Sequence, residues 1–278
     1  MTDIIYLKDK SKIIRRQTFD MVINANKGHL GGSLSCVEIL VTLYYGDILE
    51  FDLKNPKWEN RDIFIMSKGH ANNSLYVILA DLGFFPVSEL NNFSKTGCIL
   101  GQHCDTLVPG IEVNSGSLGH GLGIASGIAL GYKLDKRDPH IFVLLGDGEC
   151  QEGSIWEAAM LAAHHKLDNL VAIIDRNGLS SEDFTENTSK LEPLKDKFEA
   201  FGWRVKVIDG HSIEEILEAI EYRYLRGKPL MIIANTIKGK GVSWLENLPR
   251  SHHTIPKGDD LDNARKELEP NSHNSIYI

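Results

Sequence analysis

The residues with the strongest chemical content lie in the run Leu144-Leu145-Gly146-Asp147-Gly148-Glu149-Cys150-Gln151-Glu152-Gly153. A buried, strand-like segment ends there in a turn that holds a carboxylate between two glycines. Glycine lets backbone approach a ligand closely, and a carboxylate in that position suits a hard cation such as Mg²⁺. Thirty residues after Asp147, a second apolar run ends at Asp175-Arg176-Asn177-Gly178. Adjacent strand ends would present Asp147 and the Asn177 amide oxygen to one metal. Mg²⁺ keeps few protein ligands and completes its shell with phosphate and water, so the implied ligand is a Mg²⁺-bound diphosphate. Either motif alone also reads as a plain turn. The pair, at matched strand ends, favours the metal reading.

The elements around these turns must form a sheet. Residues 61–66, 140–145, 170–175, 203–208 and 229–235 read as buried strands, and helical patterns cover 1–27, 36–45, 72–82, 156–166 and 213–224. Gly28 to Ser33 reads as a break, with Ser33 or Ser35 capping the helix that follows. Gly116 to Gly131 is Gly-rich and then helical, while 86–114 is irregular and long enough to suggest a functional loop. Apolar strands alternating with helices imply an α/β fold with a parallel sheet flanked by helices on both faces. Ligands in such sheets sit at the carboxyl ends of the strands. Residues 1–256 read as one domain and 257–278 as a peripheral C-terminal tail.

A Gly-Asp-Gly followed about 30 residues on by Asn is the thiamine-diphosphate signature, and the flanking motifs narrow it. Lys27-Gly28-His29-Leu30-Gly31-Gly32-Ser33, Ser67-Lys68-Gly69-His70-Ala71, Pro109-Gly110-Ile111-Glu112, Gly116-Ser117-Leu118-Gly119-His120-Gly121 and Lys238-Gly239-Lys240-Gly241-Val242-Ser243 occur in one order. Together they resemble the N-terminal half of transketolase, most closely the separate N-terminal subunit of the split, two-chain form. The resemblance runs from about residue 10 to 255. It implies the thiamine-diphosphate-binding fold and the cofactors thiamine diphosphate and Mg²⁺. Asp147, Asn177 and the Leu179 carbonyl would hold the metal. Gly148 and Asn177 would contact the diphosphate, with His70 and His252 near the phosphates. Gly116, Ser117 and Leu118 would lie under the aminopyrimidine, and Glu152 at the subunit contact behind the cofactor. His29, His103 and His252 would act on the sugar.

Histidine chemistry suits that role, because neutral imidazole accepts a proton from a hydroxyl and imidazolium steadies a developing alkoxide. Loop histidines are also commonly plain surface residues, and the motif context separates His29, His70 and His103 from His164 and His165. Two positions depart from the family pattern. Gln102-His103-Cys104-Asp105 stands where the family has Gly-His-Pro followed by an acid, and His120 where it has Gln. Both places lie near the substrate channel or the cofactor cradle, where an altered rim can mean an altered sugar. The Lys238–Gly241 loop reads equally as a cation near phosphate or as a solvated surface loop.

The resemblance also implies a missing part. In the family, a glutamate from a pyrimidine-binding domain activates the cofactor. Here it is expected from a C-terminal-half partner subunit, in an α₂β₂ assembly acting on sugars or sugar phosphates. The helix Trp156–Leu161 is a candidate interface face or a simple sheet-packing face. The alternatives are another thiamine-diphosphate enzyme, such as a 1-deoxyxylulose-5-phosphate synthase or a dehydrogenase E1 component, or a non-catalytic binding homologue.

Composition agrees with a globular enzyme. The 278 residues are 42% apolar and 24% charged, and the net charge is −8. No basic stripe for nucleic acid is present, and no apolar run approaches bilayer length. The polar N-terminus has no signal region, so a cytoplasmic setting without membrane contact is expected. The four cysteines form no C-x-x-C pair and read as free thiols.

Overall fold

The structure is a computed structural model and describes residues 3–269. Five strands, β1 (Ile63–Met66), β2 (Ile141–Gly146), β3 (Leu170–Arg176), β4 (Arg204–Asp209) and β5 (Leu230–Asn235), pair in parallel in the order β1-β2-β3-β5-β4. Their carboxyl ends therefore share one edge. The register sets Gly146 opposite Asp175 and Arg176 opposite Asn235. The turns that leave β2 and β3 are thus held side by side.

Each central strand is apolar on both faces because each face meets helices. Phe142, Leu144, Val171, Ile173, Leu230 and Ile232 point into one core. Ile141, Val143, Leu145, Ala172, Ile174, Met231 and Ile233 point into the other. The first core is closed by α1 (Ile4–Ala25), α3 (Val37–Tyr45), α4 (Asn72–Leu82) and α9 (Ile213–Glu221), with α2 (Leu30–Ser35) joining α1 to α3. The second is closed by α5 (Gly121–Leu134), α6 (Gly153–His164) and α8 (Leu194–Ala200), the last preceded by the single turn α7 (Thr185–Thr188). A sheet with helices on both faces is therefore what the chain forms.

Four local readings differ from the structure. β4, read as buried, is a half-exposed strand because it lies at the sheet edge with only β5 beside it. Leu30–Ser35 is helical and fully buried rather than a break. Its glycines are there for packing: a Cβ on Gly31 would stand 2.7 Å from the Ser251 carbonyl oxygen. Ser33 and Ser35 do not cap the next helix, whose N-cap is Cys36 without a side-chain bond. The Ser35 hydroxyl instead donates to Asp175 at 2.5 Å. Helix α9 stops at Glu221, and 222–224 continue as a 3₁₀ turn.

Of the segment 257–278, residues Asp259–Glu267 form α10, and Ala264 and Leu268 are buried against Phe19, Val22 and Leu245. Residues 270–278 lie outside the described part. Trp156 packs on Phe198 and Phe201 and donates its indole N–H to the Cys150 carbonyl. Met160 and Leu161, further along α6, are exposed.

Candidate active site

The carboxyl edge of β2 and β3 carries the first group. Asp147 leaves β2 and is 2% exposed. Its Oδ1 accepts the Gly148 N–H at 2.8 Å, and its Oδ2 accepts the Gly178 N–H at 2.6 Å and Arg176 at 3.1 Å. Burial and the nearby Asp175 charge raise its pKa, opposed by Arg176 and the two backbone donors. A carboxylate offers about four lone-pair directions, so one remains for a cation. Asn177 Oδ1 accepts the Leu179 N–H at 3.1 Å and keeps its second lone pair. Asp147, Gly148, Asn177 and Leu179 thus lie together, at two neighbouring strand ends.

Beneath them runs a buried ionic floor whose pairing no local motif marks. Asp175 is sealed in the sheet and accepts from the Lys68 ammonium, from Ser35 and from the Thr236 hydroxyl. Lys68 also donates to the Gly32 carbonyl at 3.0 Å. Burial opposes both charges, and each holds the other ionised, so the Lys68 pKa is raised and that of Asp175 lowered. Lys238 is 2% exposed and donates to the Ser180 carbonyl at 2.5 Å. It is therefore a cation inside the site and not a solvated loop residue. Burial first, then Lys68, bring its pKa down to about 8.

A wall of five histidines faces this edge. The His29 ring lies at the centre, 5.4 Å from His70, 5.7 Å from His103, 5.2 Å from His252 and 4.7 Å from His253, centroid to centroid. No motif marks His253; the family pattern singles out its neighbour His252. Burial, with help from neighbouring histidines and Lys238, lowers His29 to about 4. Burial, then Lys238 and His29, lower His252 to about 3. Burial and Lys68 take His70 well below its ordinary value. These three rings are neutral at pH 7, so each keeps a ring nitrogen that can accept a hydrogen bond from a hydroxyl.

The third group is the 115–120 loop. Ser115 donates to the Met66 carbonyl at 2.7 Å, and Glu149 accepts from the Gly119 N–H at 2.9 Å. Glu149 also accepts from Ser67 at 2.5 Å and from the Gly146 N–H at 3.0 Å. This buried carboxylate locks the loop to the ends of β1 and β2. It stands in the Gly146–Gly153 run, yet nothing in the sequence separates it from an exposed turn residue. Gly116 has φ +136°, and a Cβ there would strike the His103 ring at 2.8 Å. Ser117 is exposed, Leu118 half-buried, and Glu152 is exposed beside Gly119. His120 is exposed, its Nδ1 3.2 Å from the Leu118 carbonyl oxygen.

The model of the thiamine diphosphate-binding domain of transketolases matches residues 7–278. The chain belongs to the transketolase family. It is 43% identical over 263 residues to an apulose-4-phosphate transketolase subunit of Phocaeicola vulgatus, covering 94% of this chain and 93% of that one. It is equally similar, 43% over 267 residues, to the 6-deoxy-6-sulfo-D-fructose transketolase subunit SqwG of a Clostridium species, covering 95% and 97%. The solved transketolase of Campylobacter jejuni superposes with a TM-score of 0.89 at 35% identity, covering 97% of this chain. The chain spans 44% of that protein's length. It is thus the counterpart of those transketolase subunits, with the family's thiamine diphosphate-binding domain.

The residues present fit the cofactor of a transketolase domain. An anionic diphosphate needs cations and N–H donors, and the edge supplies the Lys238 ammonium, the Asn177 side-chain amide and the ring N–H groups of the histidine wall. His29 Nδ1 and His252 Nδ1 are buried without a protein partner. Such orphaned polar atoms are rare unless a ligand or water completes them.

Proposed function

We propose that this chain is the diphosphate-and-metal half of a two-chain transketolase, moving a two-carbon ketol unit from a ketose to an aldose. One observation carries the reading. The Asp147 and Asn177 turns are tied together at one sheet edge, beside a buried lysine and facing a wall of neutral histidines.

In this reading Asp147, Asn177 and the Leu179 carbonyl hold Mg²⁺. Gly148 and Asn177 contact the diphosphate, and His70, His252 and Lys238 stand by its oxygens. The backbone of Gly116, Ser117 and Leu118 supports the aminopyrimidine, positioned by Glu149. When bound, thiamine diphosphate supplies a nucleophilic carbon and an electron sink for C–C cleavage. His29 and His103 orient the sugar, and neutral His29 accepts a hydrogen bond from its hydroxyl, holding it in place as the carbonyl forms. His252 lies close enough to His29 to share that task.

A partner subunit supplies the activating glutamate, in an α₂β₂ assembly with Glu152 at the contact. The relatives are themselves named as transketolase subunits, which supports that arrangement. Those relatives are named for sugars with an anionic end, a phosphate or a sulfonate. We take the donor here to be a ketose of that class, with His103, Cys104 and His120 shaping the altered rim. No helix among the described residues is long and apolar enough to cross a membrane. The unpaired cysteines support a reducing, cytoplasmic setting. The test is a ketol-transfer assay with phosphorylated and sulfonated ketoses, titrating the partner chain into this one. Activity that rises to a fixed ratio of chains supports the reading; full activity without the partner overturns it.

A further inference from the structure

The same histidine wall has a second chemical capacity. Ring nitrogens of His29, His252 and His253 all lie within 4.8 Å of one another. The three rings also pack pairwise, with His252 and His253 at 4.5 Å. In a tetrahedral zinc site with Zn–N of about 2.0–2.1 Å, nitrogens stand about 3.4 Å apart. His253 is exposed, so its side chain is free to close that gap. His29 is buried at 8% exposure and His252 half-buried, and their Nδ1 atoms have no partner among the described residues.

We propose that His29, His252 and His253 form an inhibitory site for a divalent transition-metal ion of the zinc class. Imidazole nitrogen is a preferred ligand for Zn²⁺, Co²⁺ and Ni²⁺, whereas Mg²⁺ takes hard oxygen. The two cation sites are therefore chemically distinct: oxygens at Asp147, nitrogens here. Three histidines leave a fourth position for water. Lys238 contributes an opposing positive charge to His29 and His252, so the site binds more weakly than a structural zinc site. Filling it would occupy the nitrogens that a sugar hydroxyl needs. That inhibitory consequence rests on the transketolase reading, while the cation site itself does not.

The test is a Co²⁺ titration of the full-length chain, followed by visible absorption. One equivalent should bind with a tetrahedral band that Zn²⁺ displaces. His253→Gln should weaken binding at least tenfold without endangering the fold, and His29→Asn should do the same. The exposed pair His164 and His165 is the rival site, and the double change to Gln should leave the band intact. No band, a band indifferent to His253→Gln, or one lost with the His164/His165 pair overturns the proposal. In the assembled enzyme, Zn²⁺ should inhibit relative to each variant's own metal-free rate, and less so in His253→Gln. Equal inhibition of both would place the ion at the Asp147 site and overturn the inhibitory role. An intact cobalt band with no ketol transfer under any condition would sink the transketolase reading and leave the cation site standing.

Discussion

Lys68, just past the end of β1, donates to Asp175 in β3 across the width of β2. Both side chains are sealed from solvent. The pair forms the floor on which the Asp147 and Asn177 turns rest. Removing one partner of a buried pair leaves an uncompensated charge and typically costs about 3–5 kcal/mol. Lys68→Met should therefore destabilise the chain by that amount, seen as a lower midpoint in denaturant. Adding Asp175→Leu should recover part of the loss. A midpoint unchanged by Lys68→Met would mean that the pair is not formed.

Acid should destabilise the ligand-free chain through its histidines. Burial takes His29 down to about 4 and His252 to about 3, below the ordinary 6.5. As pH falls below about 6.5, the unfolded chain binds protons that the folded chain refuses until pH 4 to 3. Stability is therefore full above the unfolded value and declines as pH falls through this window. Denaturation at stepped pH should show that decline. His29→Asn should flatten it, and an unchanged slope would contradict the burial of these rings.

Lys238 links cofactor affinity to pH at the other end of the scale. Its pKa of about 8 means that the free chain loses this charge as pH rises. Anion binding must then recover the proton, and the dissociation constant for thiamine diphosphate should rise by up to about tenfold per pH unit above 8. Lys238→Met should bind more weakly at pH 7 and show little of that dependence. Equal pH profiles in both proteins would remove Lys238 from the diphosphate site.

Glu149 should prove a positioning residue. It accepts three donors, from Ser67, Gly119 and Gly146. Glutamine offers one oxygen in place of two and turns an N–H₂ toward a backbone donor. Each buried donor left without an acceptor costs about 1–3 kcal/mol. Glu149→Gln should lower stability by that order and loosen the 115–120 loop, read as faster amide exchange at Gly119. Stability loss with unchanged exchange would confine the residue to a structural role.

The sheet was legible because fully buried parallel strands are continuous apolar runs, as Ile141–Leu145 and Leu170–Ile174 are. The Asp147–Asn177 relation was legible because both residues closely follow such runs. Helix α2 was not, since Gly31 and Gly32 argue against helix locally and only packing on Ser251 explains Gly31. Lys68 and Asp175 are 107 residues apart, and their pairing follows from strand order, which no local pattern carries. Lys68 sits inside the Ser67–Ala71 motif, yet its role is invisible there for the same reason. His253 shows the limit of motif reading: it enters the site through the fold of the 249–253 turn.

The central claim is that Asp147 and its strand-end neighbours hold a metal-bound diphosphate. Calorimetric titration of thiamine diphosphate into the chain, with Mg²⁺ and then with a chelator, tests it most directly. Binding should require the metal, and Asp147→Ala should weaken it by about a hundredfold, about 2.7 kcal/mol. The same affinity without Mg²⁺, or in Asp147→Ala, would contradict the account.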